Sequence, residues 1–321
     1  MANFDIALDL GSQYITVACA KTGLVIKEPS VVAVDAVDNK TIKAAGLTAV
    51  KMSASQLAKV KLCRPIVEGA VEDKDKARFL LKTLISKVLP DSSPFSRAAV
   101  LCVVPCALTK NEKQKIEFVL NIVNVKQTRF VTAPIASSVE IFKQFHVDRG
   151  IICDMGADKT DIAVVVENEI ISGCSIYFSG RQIDEDIVNF VHKKYNLQIT
   201  TDEAERIKRD CASLYPNDIS SVESSGINIL KGVLETVEIT ARELYDVVAN
   251  VISKYCQVID SLLTAVPPEI AKTVKNEGVF LCGGLSKING IDKYFLDGLK
   301  MNVRIPSDSD NLNAIGALKL I

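Results

Sequence analysis

The sequence predicts an α/β protein of two lobes that share one duplicated plan, and three observations carry that prediction. Short runs rich in Val and Ile alternate with longer segments of helical period, the pattern that strands and crossover helices leave in a chain. The 321 residues suit about two domains at roughly 150 residues each. An opening plan also recurs. An apolar run ends in Asp9-Leu10-Gly11-Ser12 and is followed by Ile15-Thr16-Val17-Ala18-Cys19; Gly150-Ile151-Ile152-Cys153 ends in Asp154-Met155-Gly156-Ala157 and resumes as Asp161-Ile162-Ala163-Val164.

The elements follow in order. Strands are expected at 4–8, 15–20, 99–104, 129–132, 150–154, 161–166, 170–177 and 278–282, each a short Val/Ile-rich run bounded by turn residues. Three helices announce their starts with a Thr and a Glu three residues later: Thr109 with Glu112, Thr200 with Glu203, and Thr240 with Glu243. In such a capping box the hydroxyl and the carboxylate satisfy two otherwise orphaned N–H groups. The third opens a long helix whose apolar positions Leu244, Val247, Val248, Val251, Ile252, Tyr255, Ile259 and Leu262 keep i, i+3, i+4 spacing until Pro267-Pro268 stops it.

Charge and composition remove several function classes. Lys and Arg total 38 against 39 acids, a net charge of -1, so no basic field is present to hold nucleic acid. The same near-neutrality permits association with copies of the chain. Hydrophobic residues make up 48% and the mean hydropathy is +0.21, which places the chain among globular proteins. No apolar run approaches the ~20 residues of a membrane span, and Met1 to Asp5 do not read as a secretory leader. Nine cysteines among apolar neighbours read as reduced core thiols of a cytoplasmic protein. With two histidines, neither near a cysteine, no Cys/His metal site is expected.

An Asp-x-Gly turn between strands has chemical content when two of them face each other. Glycine lets backbone N–H groups approach phosphate oxygens, and aspartate can hold magnesium through water. A single copy is as readily an ordinary hairpin turn. Two copies in one plan, with Gly283-Gly284 after the strand 279–282 where bare backbone admits a base or sugar, point to a nucleotide cleft enclosed by the two hairpins.

These residues resemble the actin, sugar kinase and heat-shock chaperone ATPase superfamily, and within it the MreB family of bacterial actins. The likeness runs in order along the chain: Asp9-Leu10-Gly11-Ser12, Glu28-Pro29-Ser30-Val31-Val32, Arg64-Pro65 with Gly69, Val104-Pro105 with Thr109, Asp154-Met155-Gly156, Gly180 with Asp184-Glu185, Ala204-Glu205-Arg206-Ile207-Lys208 followed by Tyr215-Pro216, Pro267-Pro268-Glu269, and Gly283-Gly284 with Gly290. The resemblance implies an actin-like two-lobed ATPase fold with a duplicated mixed-sheet core and four subdomains. Lobe I would span 1–150, with a small subdomain at about 32–64 and a C-terminal helix at about 309–321 returning to it; lobe II would span 151–308, with a small subdomain at about 181–240. It implies ATP or ADP with Mg2+ as cofactors, self-association into filaments, the cell-wall elongation machinery as partner, and a place on the inner face of the membrane. By position, Gly11, Ser12, Gly156, Ala157 and Lys159 would meet phosphates, Asp9 and Asp154 would organise magnesium, and Glu205 and Lys208 would flank adenine and ribose opposite Gly283 and Gly284. Glu205 and Lys208 also read as a surface i, i+3 ion pair.

The chain departs from the family where water is activated. Ala133, in Thr132-Ala133-Pro134, stands where hydrolysing members carry a Glu or Gln, and Gln127 and Glu140 are the nearest carboxylate or amide. The second phosphate loop, usually D-x-G-G-G-T-T, reads Asp154-Met155-Gly156-Ala157-Asp158-Lys159-Thr160, so Asp158 places an acid beside a phosphate site and Lys159 replaces a hydroxyl. Asp161 is the remaining acid to consider for catalysis. Loss of a positioned base costs ~10²- to 10⁴-fold in rate, about 3 to 5 kcal/mol of barrier, so slow or absent hydrolysis is expected. Besides an MreB-type filament protein, the residues admit a non-polymerising nucleotide-binding scaffold of the division or pilus-assembly type. The membrane loop of the family falls at Pro94-Phe95, with Arg97 beside it for anionic headgroups. If Phe95 is the anchor, Phe95→Asp abolishes co-sedimentation with anionic liposomes; unchanged binding rules the residue out.

Overall fold

The computed structural model describes residues 5–89, 98–123 and 125–321, apart from the side chain of Ala54. Pro94, Phe95 and Arg97, and Phe4 at the start of the expected strand at 4–8, lie outside them. The chain divides into two units, one of residues 1–146 with 310–321 and the other of residues 147–309.

Each unit is built on a five-stranded sheet, and the two sheets have the same order and polarity. In the first, Val25–Pro29, Tyr14–Cys19 and Ile6–Leu10 run antiparallel in turn, then Ala98–Val104 and Val125–Thr132 continue parallel to Ile6–Leu10. In the second, Glu169–Ile176, Thr160–Val166 and Arg149–Met155 are antiparallel, and Val279–Cys282 and Val303–Arg304 continue in parallel. The hydrophobic logic agrees. Ile6, Ala7, Leu8, Ile151, Ile152 and Cys153 are fully buried on both faces, as sheets covered on both sides require.

Eight expected strands appear, with ends shifted by a few residues. Sequence periodicity missed others. Val32–Asp35, Ile42–Ala45 and Val60–Cys63 make a three-stranded sheet in the first unit, and Leu197–Gln198, Ser221–Asn228 and Val233–Thr240 make one in the second. The last two form a long hairpin with a polar, Gly-interrupted sequence, in which period-2 alternation is weak.

The helix starts at Thr109 and Thr240 are reciprocal capping boxes. At Thr200 only half of the box forms: the hydroxyl accepts from the Glu203 N–H, but the Glu203 carboxylate is taken by Arg206 and Ser224. A charged guanidinium outcompetes a backbone N–H for the same oxygens. The long helix spans Ala241–Ala265, and the prolines that stop it open the next one, Pro268–Glu277.

In the first unit the terminal helix Leu312–Lys319 lies on the helix Ala133–Phe145 at backbone contact. A Cβ on Gly316 would stand 1.8 Å from the Ala136 carbonyl oxygen. Lys27 fixes the start of this segment by an ion pair with Asp310 at 2.7 Å. Gly316→Ala is therefore expected to cost about 1–3 kcal/mol through forced separation of the two helices, read as a lower urea midpoint; an unchanged midpoint would contradict this packing.

Candidate functional site

In the first unit the strands Ile6–Leu10 and Tyr14–Cys19 pair Asp9 with Thr16 and Leu10 with Ile15, so Gly11, Ser12 and Gln13 form the connection. Only glycine fits at its first position: a Cβ on Gly11 would lie 2.3 Å from the Tyr14 carbonyl oxygen. The Ser12 hydroxyl accepts from the Gly69 N–H at 3.3 Å, which ties the turn to the loop after Val67. Ala133 opens the helix Ala133–Phe145 and is 5% exposed, packed with Ala7, Ala99, Leu101, Val103, Ala136 and Ala317. Its methyl group completes an apolar layer. Glu140, on the same helix, is paired with Lys319 at 3.2 Å and does not serve as a displaced base.

The second unit repeats the turn. Asp154 is opposite Asp161 and Met155 opposite Thr160, and the Gly156 N–H donates to the Lys159 carbonyl at 2.9 Å. A Cβ on Gly156 would come within 2.7 Å of that same oxygen. The helix Gly180–Tyr195 docks its first N–H groups onto this turn, Gly180 to the Gly156 carbonyl at 3.1 Å and Arg181 to the Ala157 carbonyl at 2.7 Å. Gly283, at φ 79°, closes on it from the other side. A Cβ there would stand 2.4 Å from the Met155 carbonyl oxygen and 2.7 Å from Asp154 Oδ1, whereas Gly284 faces open space. The structure thus brings Asp154, Gly156, Ala157, Lys159, Gly283 and Gly284 together.

Electrostatics around the turn differ from what the sequence alone indicates. Asp158, with its side chain 4% exposed, is neutralised by Arg181, whose Nε donates to Oδ1 at 2.6 Å. Lys159 does not provide that compensation; its ammonium stands over the Tyr177 ring, 5.1 Å from the centroid. Arg181 lies 23 positions beyond Asp158, and only the docking of the helix start onto the turn brings the two together. Lys208 does not pair with Glu205 one turn away. It reaches instead to Asp184 at 2.7 Å and to the Gly180 carbonyl at 2.9 Å, bracing the helix start against the helix Thr201–Cys211. Asp161 accepts a 2.5 Å hydrogen bond from Ser175.

Magnesium bridging phosphates keeps most of its waters and needs only one or two carboxylates. Asp154, beside the bare backbone of Gly283, fits that role in the second unit, and Asp9, in the matching register, in the first. Among the described residues no group of three His, Cys, Asp or Glu could enclose a metal by itself.

Two glycine-closed hairpins at equivalent places in duplicated sheets define an actin-like fold. A family model, MreB/Mbl protein, matches residues 3–321, and the chain belongs to that family. It is 27% identical over 317 residues to the cell shape-determining protein Mbl of Bacillus subtilis (strain 168), covering 97% of this chain and 94% of that one. To the cell shape-determining protein MreB of Escherichia coli (strain K12) it is 25% identical over 313 residues, covering 96% and 90%. Among solved structures, MreB5 of Spiroplasma citri bound to ADP superposes with a TM-score of 0.89 at 28% identity, covering 98% of this chain and 94% of that one. A MamK double helical filament matches in fold, with a TM-score of 0.83 at 20% identity over 98% and 97%.

Burial pushes the Asp184 carboxyl up to about 6 from 3.8, against the pull of Lys208 and Arg181. An acid whose folded value is raised adds stability that is complete below about 3.8 and is lost as pH rises through about 6. Asp184→Asn is expected to remove an increment of up to about 3 kcal/mol between pH 7 and pH 4, read as a flatter difference curve of unfolding free energy against pH. A variant with the wild-type slope would contradict it.

Proposed function

We propose that this chain is an ATP- or ADP-binding, filament-forming cytoskeletal protein of the MreB type that acts in cell shape and hydrolyses nucleotide slowly or not at all. The observation that carries the reading is the turn Gly156–Lys159 with Gly283 and the helix start at Gly180 closed around it, an arrangement of bare backbone suited to phosphates. The Spiroplasma citri MreB5 structures, bound to ADP and to AMPPNP, support it.

In this reading Gly11 and Ser12 approach phosphates from the first unit. Ala157 and Lys159 do so from the second, where Gly156 shapes the turn by giving its own N–H to Lys159. Gly284 leaves room for base or sugar, and Glu205 and Lys208 border it, Lys208 already held by Asp184 and Gly180. Magnesium, when bound, neutralises phosphate charge; Asp9 and Asp154 would hold it through water. Ala133 offers no lone pair to orient an attacking water, and its burial among alanines leaves no room for a larger side chain without repacking.

Self-association is the second part of the reading. The hairpin Ser221–Asn228 and Val233–Thr240 ends in Leu230 and Leu234, 74% and 70% exposed, with Ile229 and Val233 beside them. An apolar tip of this kind marks a contact surface, and a filament repeats each weak contact many times. The cell-wall elongation machinery and the inner membrane face complete the proposal as partners, and the cytoplasm as location. No helix among the described residues is long and apolar enough to cross a membrane.

Light scattering with ATP, followed by electron microscopy, is expected to show filaments that Leu230→Asp with Leu234→Asp disrupts. Phosphate release from the same samples should run roughly 10²- to 10⁴-fold below that of a hydrolysing relative. Persistent monomers would favour a nucleotide-binding scaffold, and ordinary turnover would refute slow hydrolysis.

A further inference from the structure

A cavity of about 410 Å³ opens in the second unit between the helices Ala241–Ala265 and Ile291–Leu299 and the chain at Leu214 to Pro216. Its volume falls within the ~300–1,000 Å³ of sites that take a small molecule, and none of the glycine-turn residues lines it. The walls are held in place. The Leu214 N–H donates to the Asn289 carbonyl at 2.7 Å, and Asn289 Nδ2 donates to Asp218 at 3.0 Å. The Tyr215 ring packs on Gly290, where a Cβ would stand 3.0 Å from it, and the Tyr294 hydroxyl donates to the Ala249 carbonyl at 3.4 Å. Three of the chain's seven tyrosines, Tyr215, Tyr245 and Tyr294, thus line one cavity, and the small residues Ser253, Cys256 and Gly298 leave the room in it. Burial, with Asp260 nearby, pushes the Cys256 thiol up to about 11, so it stays protonated and unreactive near neutral pH.

The lining carries one charge of each sign, Lys293 and Asp297, one turn apart on the same helix. Among the described residues neither is in an ion pair; the Lys293 ammonium lies instead over the Tyr215 ring, 5.9 Å from its centroid. Outside the lining the two helices carry Asp246, Asp260 and Asp292 against Arg242 and Lys254, while Glu243 is paired with Lys194. That slight acidic excess favours an ammonium beside Asp297 and leaves Lys293 as the cation of the lining. The hydroxyls of Tyr215 and Tyr245 have no hydrogen-bond partner among the described residues, so they add two donors to Lys293. An ammonium, a carboxylate and an apolar body are what these groups complement together. We propose that this cavity binds a free α-amino acid with a large apolar side chain, its carboxylate at Lys293 and the tyrosine hydroxyls and its ammonium at Asp297. The inference is independent of the nucleotide reading above.

The chain has no Trp, so tyrosine fluorescence of the full-length protein reports on the cavity directly. L-Phenylalanine should give a saturable change with a Kd of about 1–10 mM or tighter. Phenethylamine and 3-phenylpropionate, each lacking one of the two charges, should bind at least about tenfold more weakly. Lys293 and Asp297 are exposed, so their substitution should leave the fold intact. Lys293→Met should bind phenylalanine no better than phenethylamine, and Asp297→Asn no better than 3-phenylpropionate. No saturable change up to roughly 50 mM phenylalanine overturns the proposal. Analogues that bind the wild type as well as phenylalanine does also overturn it, since they reduce the cavity to an apolar cleft. A variant that keeps the wild-type preference for phenylalanine overturns the role given to that side chain.

Discussion

The hydrogen bond from the Gly156 N–H to the Lys159 carbonyl closes a turn against which the rest of the second unit's site is laid. The helix start at Gly180 and Arg181 hangs from its carbonyls, and Gly283 touches the preceding Met155 carbonyl. Lys208 then braces the Gly180 carbonyl from a further helix. Each contact uses backbone, so side chains larger than glycine are excluded at Gly156 and Gly283 by contact with carbonyl oxygens rather than by preference. The first unit repeats the constraint at Gly11, where the Tyr14 carbonyl plays the part of Lys159.

Around that backbone the chain has placed unusual charges. Asp158 and Arg181, and Asp184 and Lys208, are ion pairs with little or partial exposure. Such pairs gain less from attraction than they lose in hydration unless their geometry is good, and removing one partner leaves the other uncompensated. Both pairs join the start of one helix to a neighbouring element, so their role is to set where that helix begins. The raised Asp184 carboxyl is the expected cost of this arrangement, since burial opposes its charge more than Lys208 favours it.

In the proposed function, nucleotide chemistry and assembly fall on different parts of the second unit. The turn with its glycines offers bare backbone, while the apolar residues Leu230 and Leu234 lie at the tip of a hairpin of two eight-residue strands. Slow hydrolysis is compatible with this proposal, in which binding rests on the turn and water activation on position 133. A near-neutral chain carries little self-repulsion to oppose stacking of copies.

Much of the fold was legible in the residues. Strand runs, the start of the long helix at Thr240 and the duplicated Asp-x-Gly turns are local signals, set by side-chain period and by the conformational freedom of Gly11 and Gly156. The strands from Val25 to Cys63 and the hairpin after Ser220 were not legible, because short or polar strands gain their stability from partners distant in sequence. The same holds for the site. The sequence by itself determined which residues stand in the two turns and that a methyl group occupies position 133. Only the tertiary structure decided that Asp158 belongs to Arg181, that Lys208 belongs to Asp184 rather than Glu205, and that Lys159 lies against Tyr177, since ion pairing is chosen by distance in space, which spacing along the chain does not encode.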